Sequence, residues 1–154
     1  MKFKKERAKS IFRVYLELSK LNILSLVLVS TFLGYYLGNN GIGELSRVIY
    51  TLLGTSLTAA GSGALNHYLE RNSDSLMERT KNRPLPAGLI SPLNVIIFGV
   101  IMIIGGSLLL VFKINLLTGF LSLLTAFLYV VVYTPLKRIT WLNTSVGSVP
   151  GAMP

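Results

Sequence analysis

Residues 48–69 read VIYTLLGTSLTAAGSGALNHYL, and residues 70–84, which follow without a break, read ERNSDSLMERTKNRP. The first stretch has no Lys, Arg, Asp or Glu over 22 residues, and about 20 apolar residues of helix suffice to cross the hydrocarbon core of a bilayer. The second places seven charges within 15 residues. A membrane helix that runs straight into a charged segment therefore sets the architecture. Uncharged stretches of spanning length also occupy residues 21–43, 84–112 and 114–136, and a fifth begins at Ile139 and is still running at Pro154. The expected fold is an all-α, polytopic membrane helical bundle with four complete transmembrane helices and the start of a fifth. A basic segment, residues 1–20, precedes a single, incomplete membrane domain at residues 21–154.

The net charge of +9 would suggest nucleic acid as a partner in a soluble protein, but 51% of the residues are hydrophobic and the charges alternate with the spans. Lys2, Lys4, Lys5, Arg7, Lys9, Arg13 and Lys20 precede the first span. Arg71, Arg79, Lys81 and Arg83 follow the second, and Lys137 and Arg138 the fourth. The other two loops hold only Arg47 and Lys113. This is the positive-inside pattern, which places the N-terminus and the loop at residues 70–83 on the cytoplasmic side and argues against nucleic-acid binding. No cleaved signal is read, because about twenty partly amphipathic residues come before a full-length span. With no cysteine in the chain, thiolate metal sites and cysteine nucleophiles are excluded.

Two readings stand for residues 1–20: a helix on the membrane surface, with Ile11, Phe12, Val14, Tyr15, Leu16 and Leu18 among the charges, or a merely positive tail. Gly34 and Gly38, the cluster Ala59, Ala60, Gly61 and Gly63, and the pair Gly105 and Gly106 are read as helix-packing positions. Pro84 and Pro86 end the charged helix near Asn82, and Ser91-Pro92 opens the third span with proline tolerated in its first turn.

Asn66, Glu70 and Asp74 are spaced by four, so on a continuous helix they stack along one face, neighbours about 6 Å apart. One amide and two carboxylates are hard oxygen donors suited to Mg²⁺, which keeps waters and takes phosphate oxygens as further ligands. Asn66 lies inside an uncharged span, where a polar side chain is costly unless it faces protein or a wet cavity. Arg71, Arg79, Lys81 and Arg83 could neutralise diphosphate oxygens. The competing reading is a solvated loop whose acids pair with its own bases, such as Glu70 or Glu78 with a nearby Arg. His67, the only histidine, adjoins Asn66, and is read either as a ligand facing a metal or haem or as a hydrogen-bonded interfacial side chain. Tyr133, Lys137 and Arg138 end span four on the same side, as an aromatic belt with positive-inside bases or as part of the site.

Residues 66–92, NHYLERNSDSLMERTKNRPLPAGLISP, and 133–154, YTPLKRITWLNTSVGSVPGAMP, resemble the haem O synthase branch (protohaem IX farnesyltransferases) of the UbiA-type intramembrane prenyltransferases. The N-x-x-x-[DE]-x-x-x-D motif of that superfamily appears as Asn66, Glu70 and Asp74. The haem-branch run M-x-R-T-x-x-R-P appears from Met77 to Pro84, and a Y-x-x-x-K element as Tyr133 and Lys137. The resemblance implies a nine-helix bundle around a central cavity and transfer of farnesyl from farnesyl diphosphate to a vinyl group of haem b, giving haem O and diphosphate for haem-copper oxidases. It implies Mg²⁺ on Asn66, Glu70 and Asp74, and diphosphate on Arg71, Arg79, Lys81, Arg83, Tyr133 and Lys137. The place of His67 beside Asn66, and not the resemblance, is what suggests that His67 contacts haem. Association with haem A synthase or oxidase assembly would be in keeping with the resemblance.

Three departures stand against the family pattern. Ser19, Lys20, Leu21 and Asn22 replace a T-K-P-R-like stretch, which puts substrate contact from there in doubt; Asn72 replaces a common acid; and a second acidic motif, the other half of the metal site, is not reached. A quinone-precursor acceptor and a non-catalytic membrane subunit or small transporter remain as alternatives. The chain is expected to be the N-terminal half of a longer enzyme. Supplied with farnesyl diphosphate, haem b and Mg²⁺, residues 1–154 alone are expected to make no haem O, measured by chromatography of extracted haems.

Overall fold

The computed structural model describes residues 10–137 together with 147 and 148, and its regular elements are all helical. α1 (Ile11–Leu18), α2 (Leu21–Gly38), α3 (Leu45–Leu76), α4 (Pro92–Lys113) and α5 (Leu116–Phe127) are followed by a π-helical segment, Leu128–Tyr133, and a last turn, α6 (Thr134–Leu136). Four helices are long and apolar enough to cross a membrane: α2, α3, α4 and the continuous run Leu116–Leu136. The polytopic bundle expected from the hydropathy pattern is present. Arg138, the span expected from Ile139 and the basic residues up to Lys9 lie outside the described residues.

Helix ends differ from the sequence expectations where local backbone geometry intervenes. The first span stops at Gly38, because Asn40 (φ 54°), Gly41 (φ 145°) and Gly43 (φ 58°) form a left-handed turn. The charged helix ends at Leu76, not near Asn82. Met77 swings to extended backbone (φ −97°, ψ 128°), and Thr80 Oγ1 donates to the Asp74 carbonyl at 2.9 Å, satisfying an acceptor the helix end leaves open. The third span starts at Pro92, as the Ser91-Pro92 step predicts. As expected, Ser91 caps it, accepting from the Asn94 amide at 3.3 Å, with proline in the first turn. The π-helical segment precedes Pro135, which has no N–H to donate and whose ring crowds the carbonyl four residues back.

α3 is the central helix, packed against α4, α2 and α5. α3 and α4 run antiparallel with glycine against glycine. A Cβ on Gly61 would lie 2.5 Å from the Gly99 carbonyl oxygen, and one on Gly106 would lie 2.6 Å from that of Gly54. Each pair of glycines is seven residues apart, two turns, so one rotational setting of each helix serves both contacts. Gly61 and Gly106 confirm the packing reading, whereas Gly38 and Gly105 have open space beside them. Gly54 and Gly99 escaped notice in the sequence. On the outer side of α4, Leu93, Ile97, Ile101, Ile104 and Leu108 form an exposed apolar stripe suited to lipid.

Within the N-terminal segment, Ile11–Leu18 form the helix α1. Its face bearing Val14 and Leu18 is buried with Ala64, Leu85 and Val95, and the Tyr15 ring packs on Phe98 at 4.8 Å. Ile11 and Phe12 remain exposed. This docking brings the α1–α2 junction to the charged end of α3. Gly106→Val is expected to destabilise the protein by about 1–3 kcal/mol, while Gly105→Ala changes stability by less than about 0.5 kcal/mol. Denaturant-induced unfolding of the detergent-solubilised protein measures both.

Candidate functional site

Because α3 continues unbroken through the membrane boundary, Asn66, Glu70 and Asp74 lie on successive turns of one helix. They are not free in water. Asn66 is 2% and Asp74 4% exposed, and the Glu70 side chain is 13% exposed. Buried polar oxygens require partners, and each finds a base from a different part of the chain. The Lys20 ammonium, at the α1–α2 junction, donates to Asn66 Oδ1. Lys137 Nζ, just past α6, lies 3.1 Å from Glu70 Oε1. Arg83 Nη1, in the turns at residues 77–91, lies 2.7 Å from Asp74 Oδ2. The Asn66 amide is oriented by its other end: Nδ2 donates to Thr134 Oγ1 at 3.1 Å, and that hydroxyl donates to the Tyr129 carbonyl at 2.8 Å. The π-helical turn makes Tyr129 O the acceptor for the Thr134 backbone N–H as well, and so places Thr134 opposite Asn66.

The remaining residues singled out in the sequence divide. Arg79 is exposed but lines the cavity next to this cluster. Arg71 turns back along its own helix: its guanidinium donates to the Tyr68 carbonyl at 2.9 Å and lies 4.3 Å from the Tyr68 ring centre. Lys81 pairs with Glu78 at 2.6 Å in solvent, the bland outcome weighed for this loop. Tyr133 stacks on Tyr129 with ring centres 5.6 Å apart. His67 is 3% exposed, and neither ring nitrogen has a partner among the described residues. Two members of the cluster went unrecognised in the sequence. Lys20 reads as a positive-inside base and as part of the stretch that departs from T-K-P-R, where substrate contact is in doubt, yet it stands at the membrane boundary with Asn66. Thr134 carried no signal, a threonine before a proline being unremarkable.

Lys20 is held with its ionisation disfavoured. Burial, the largest influence, pulls its pKa below the ordinary lysine value of 10.5; Glu70 and Asp74 oppose this, and Arg83 and Lys137 reinforce it.

Two cavities meet at Lys20 and Ile23, which line both. The outer one, about 810 Å³, opens at the charged end and is bordered by Arg13, Glu17, Lys20, His67, Arg79 and Arg83. The inner one, about 940 Å³, runs between α2, α3 and the Leu116–Leu136 run, from Lys20 and Tyr133 down to Thr51, Ile114 and Thr118. Hydroxyls are frequent along its wall, yet Thr31, Thr51, Thr58 and Ser62 each donate to the carbonyl four residues earlier, at 2.8–3.0 Å. Spent on their own helices, they leave mainly methyl and methylene surface for an apolar chain.

The donor set of Asn66, Glu70 and Asp74 fits a hard divalent cation. Among the described residues no group of three His, Cys, Asp or Glu is placed to hold a metal ion.

Residues 27–154 match the model of the UbiA prenyltransferase family. The chain is 41% identical over 151 residues to a protein named protoheme IX farnesyltransferase from Solibacter usitatus, covering 92% of this chain and 52% of that protein. Proteins of the same name from Salinibacter ruber (47% identical over 140 residues, 91% of this chain and 50% of the relative) and Aquifex aeolicus (38% over 150 residues, 97% and 51%) are also similar. The chain thus spans about half the length of the curated relatives it matches. No solved structure matches. With four membrane-spanning helices, a matched family model over most of its length and the oxygen ladder at the charged end of α3, the chain is an integral membrane member of the UbiA prenyltransferase family.

Proposed function

We propose that this chain provides the prenyl-donor half of a haem O synthase, which transfers farnesyl from farnesyl diphosphate to a vinyl group of haem b. The observation that carries this reading is that two of the three bases on these oxygens, Lys20 and Arg83, border a cationic cavity, and that Lys20 borders an apolar one as well. The names of the relatives support the substrates. The positive-inside distribution of the bases supports a bacterial inner membrane with the N-terminus and this site on the cytoplasmic side.

In this reading Asn66, Glu70 and Asp74 hold Mg²⁺, which when bound neutralises charge on the departing diphosphate. Arg83 and Lys137, released from Asp74 and Glu70, bind diphosphate oxygens, and Arg79 reaches them from the outer cavity. The farnesyl chain lies in the inner cavity, where methyl-lined walls exclude water from the allylic cation formed as the C1–O bond breaks. The electron pair of that bond leaves with diphosphate, and the vinyl π-electrons close the new C–C bond. The cation then left beside the porphyrin ring takes hydroxyl from water, with loss of a proton. The acceptor occupies the outer cavity, with a carboxylate toward Arg13 and His67 against it.

In the complete gene product, Asp74→Asn is expected to lower haem O formation roughly 100-fold or more while the protein still inserts in the membrane. A non-catalytic subunit or transporter would show no loss. His67→Ala is expected to raise the haem KM roughly three- to tenfold with little change in kcat. An unchanged KM together with an unchanged haem absorption spectrum would remove His67 from the acceptor site.

A further inference from the structure

Lys20 occupies an unusual position. Its backbone is left-handed (φ 50°, ψ 58°), one residue past the C-cap of α1, a place that usually falls to glycine because a side chain there is strained. The strain persists where the surroundings over-determine it, and here they do. Val14 and Leu18 anchor α1 just upstream, α2 begins at the next residue, and the ammonium is fixed on Asn66 Oδ1. Of the three bases on the oxygen ladder, Lys20 alone sits in the wall between the outer and inner cavities, and it alone contacts the amide oxygen.

A divalent cation bound by Asn66, Glu70 and Asp74 needs the same Asn66 lone pair that the ammonium now takes, and the two positive charges repel at that distance. Both cannot be present in this arrangement. We infer that Lys20 is a positioning residue that stands in for the metal in the unliganded protein, keeps the Asn66 amide aimed into the site, and turns to diphosphate oxygens when metal and diphosphate arrive. This rests on Asn66, Glu70 and Asp74 being the metal site. It also links metal entry to opening of the wall between the cavities, since the displaced side chain is part of that wall.

The two roles have opposite signs. Lys20 weakens binding of the metal alone and strengthens binding of the diphosphate. A merely structural lysine, needed to orient Asn66, would instead help the metal to bind. The test uses the purified complete gene product, stripped of metal and without prenyl substrate, titrated with Mn²⁺ and followed by electron paramagnetic resonance. Lys20→Met, and Lys20→Gly, which relieves the left-handed backbone and guards against misfolding, are both expected to bind Mn²⁺ about tenfold more tightly than the parent. Both are expected to raise the KM for farnesyl diphosphate by a similar factor. Unchanged or weaker Mn²⁺ binding in both variants overturns the inference. Asp74→Asn separates the two levels: if it abolishes Mn²⁺ binding while the Lys20 variants leave it unchanged, the role of Lys20 falls and the metal site stands. If Asp74→Asn leaves Mn²⁺ binding intact, both fall together.

Discussion

Two carboxylates and an amide buried at a membrane boundary cannot stand without positive or hydrogen-bonding partners, and most of the architecture at this end of the bundle meets that demand. Lys20, Arg83 and Lys137 come from the α1–α2 junction, the turns before α4 and the end of the Leu116–Leu136 run. Each therefore ties a different segment to α3. Removing one partner would leave a buried charge or amide oxygen exposed to an apolar surrounding, which is far more costly than the pairing is stabilising. Such a cluster is poorly designed for stability alone. In the proposed function, a metal and a polyanion would replace these internal pairs.

The apolar part of the bundle serves the same site. Close approach of α3 and α4 at Gly54, Gly61, Gly99 and Gly106 sets the rotation of α3 about its axis. With that rotation, Thr51, Thr58 and Ser62 border the inner cavity and Asn66 caps the same helix face toward Thr134. Helix packing in lipid relies on such small residues because apolar burial gives no net drive there. On the cavity wall Thr31, Thr51, Thr58 and Ser62 donate to their own backbones, and Ser122 donates across the bundle to Thr58 Oγ1 at 3.0 Å.

Reading charges in one dimension grouped Arg71, Arg79, Lys81 and Arg83 as equivalent donors, because all follow the acidic residues within a few positions. In three dimensions Arg83 reaches Asp74, Arg79 borders the outer cavity, Arg71 is bound to Tyr68, and Lys81 is taken up by Glu78. The early end of α3 accounts for much of this sorting: once the helix stops at Leu76, residues beyond it no longer follow its periodicity, and the turn brings Arg83 back under Asp74. The contacts of Lys20 and Thr134 with Asn66 are not legible in the sequence for a related reason. Their contacts with Asn66 cross 46 and 68 positions of sequence, and no local pattern carries that information.

The sequence by itself determined the spans, the segregation of bases to one side of the membrane and the ladder of Asn66, Glu70 and Asp74. These follow from hydropathy and from the period of 3.6 residues, which are properties of neighbouring residues. Only the tertiary structure decided which base meets which oxygen, that Lys20 is among them, and that Lys20 and Arg83 border the cavities beside the ladder. Those outcomes depend on the rotation and register of whole helices, which glycine contacts between α3 and α4 and the docking of α1 set together.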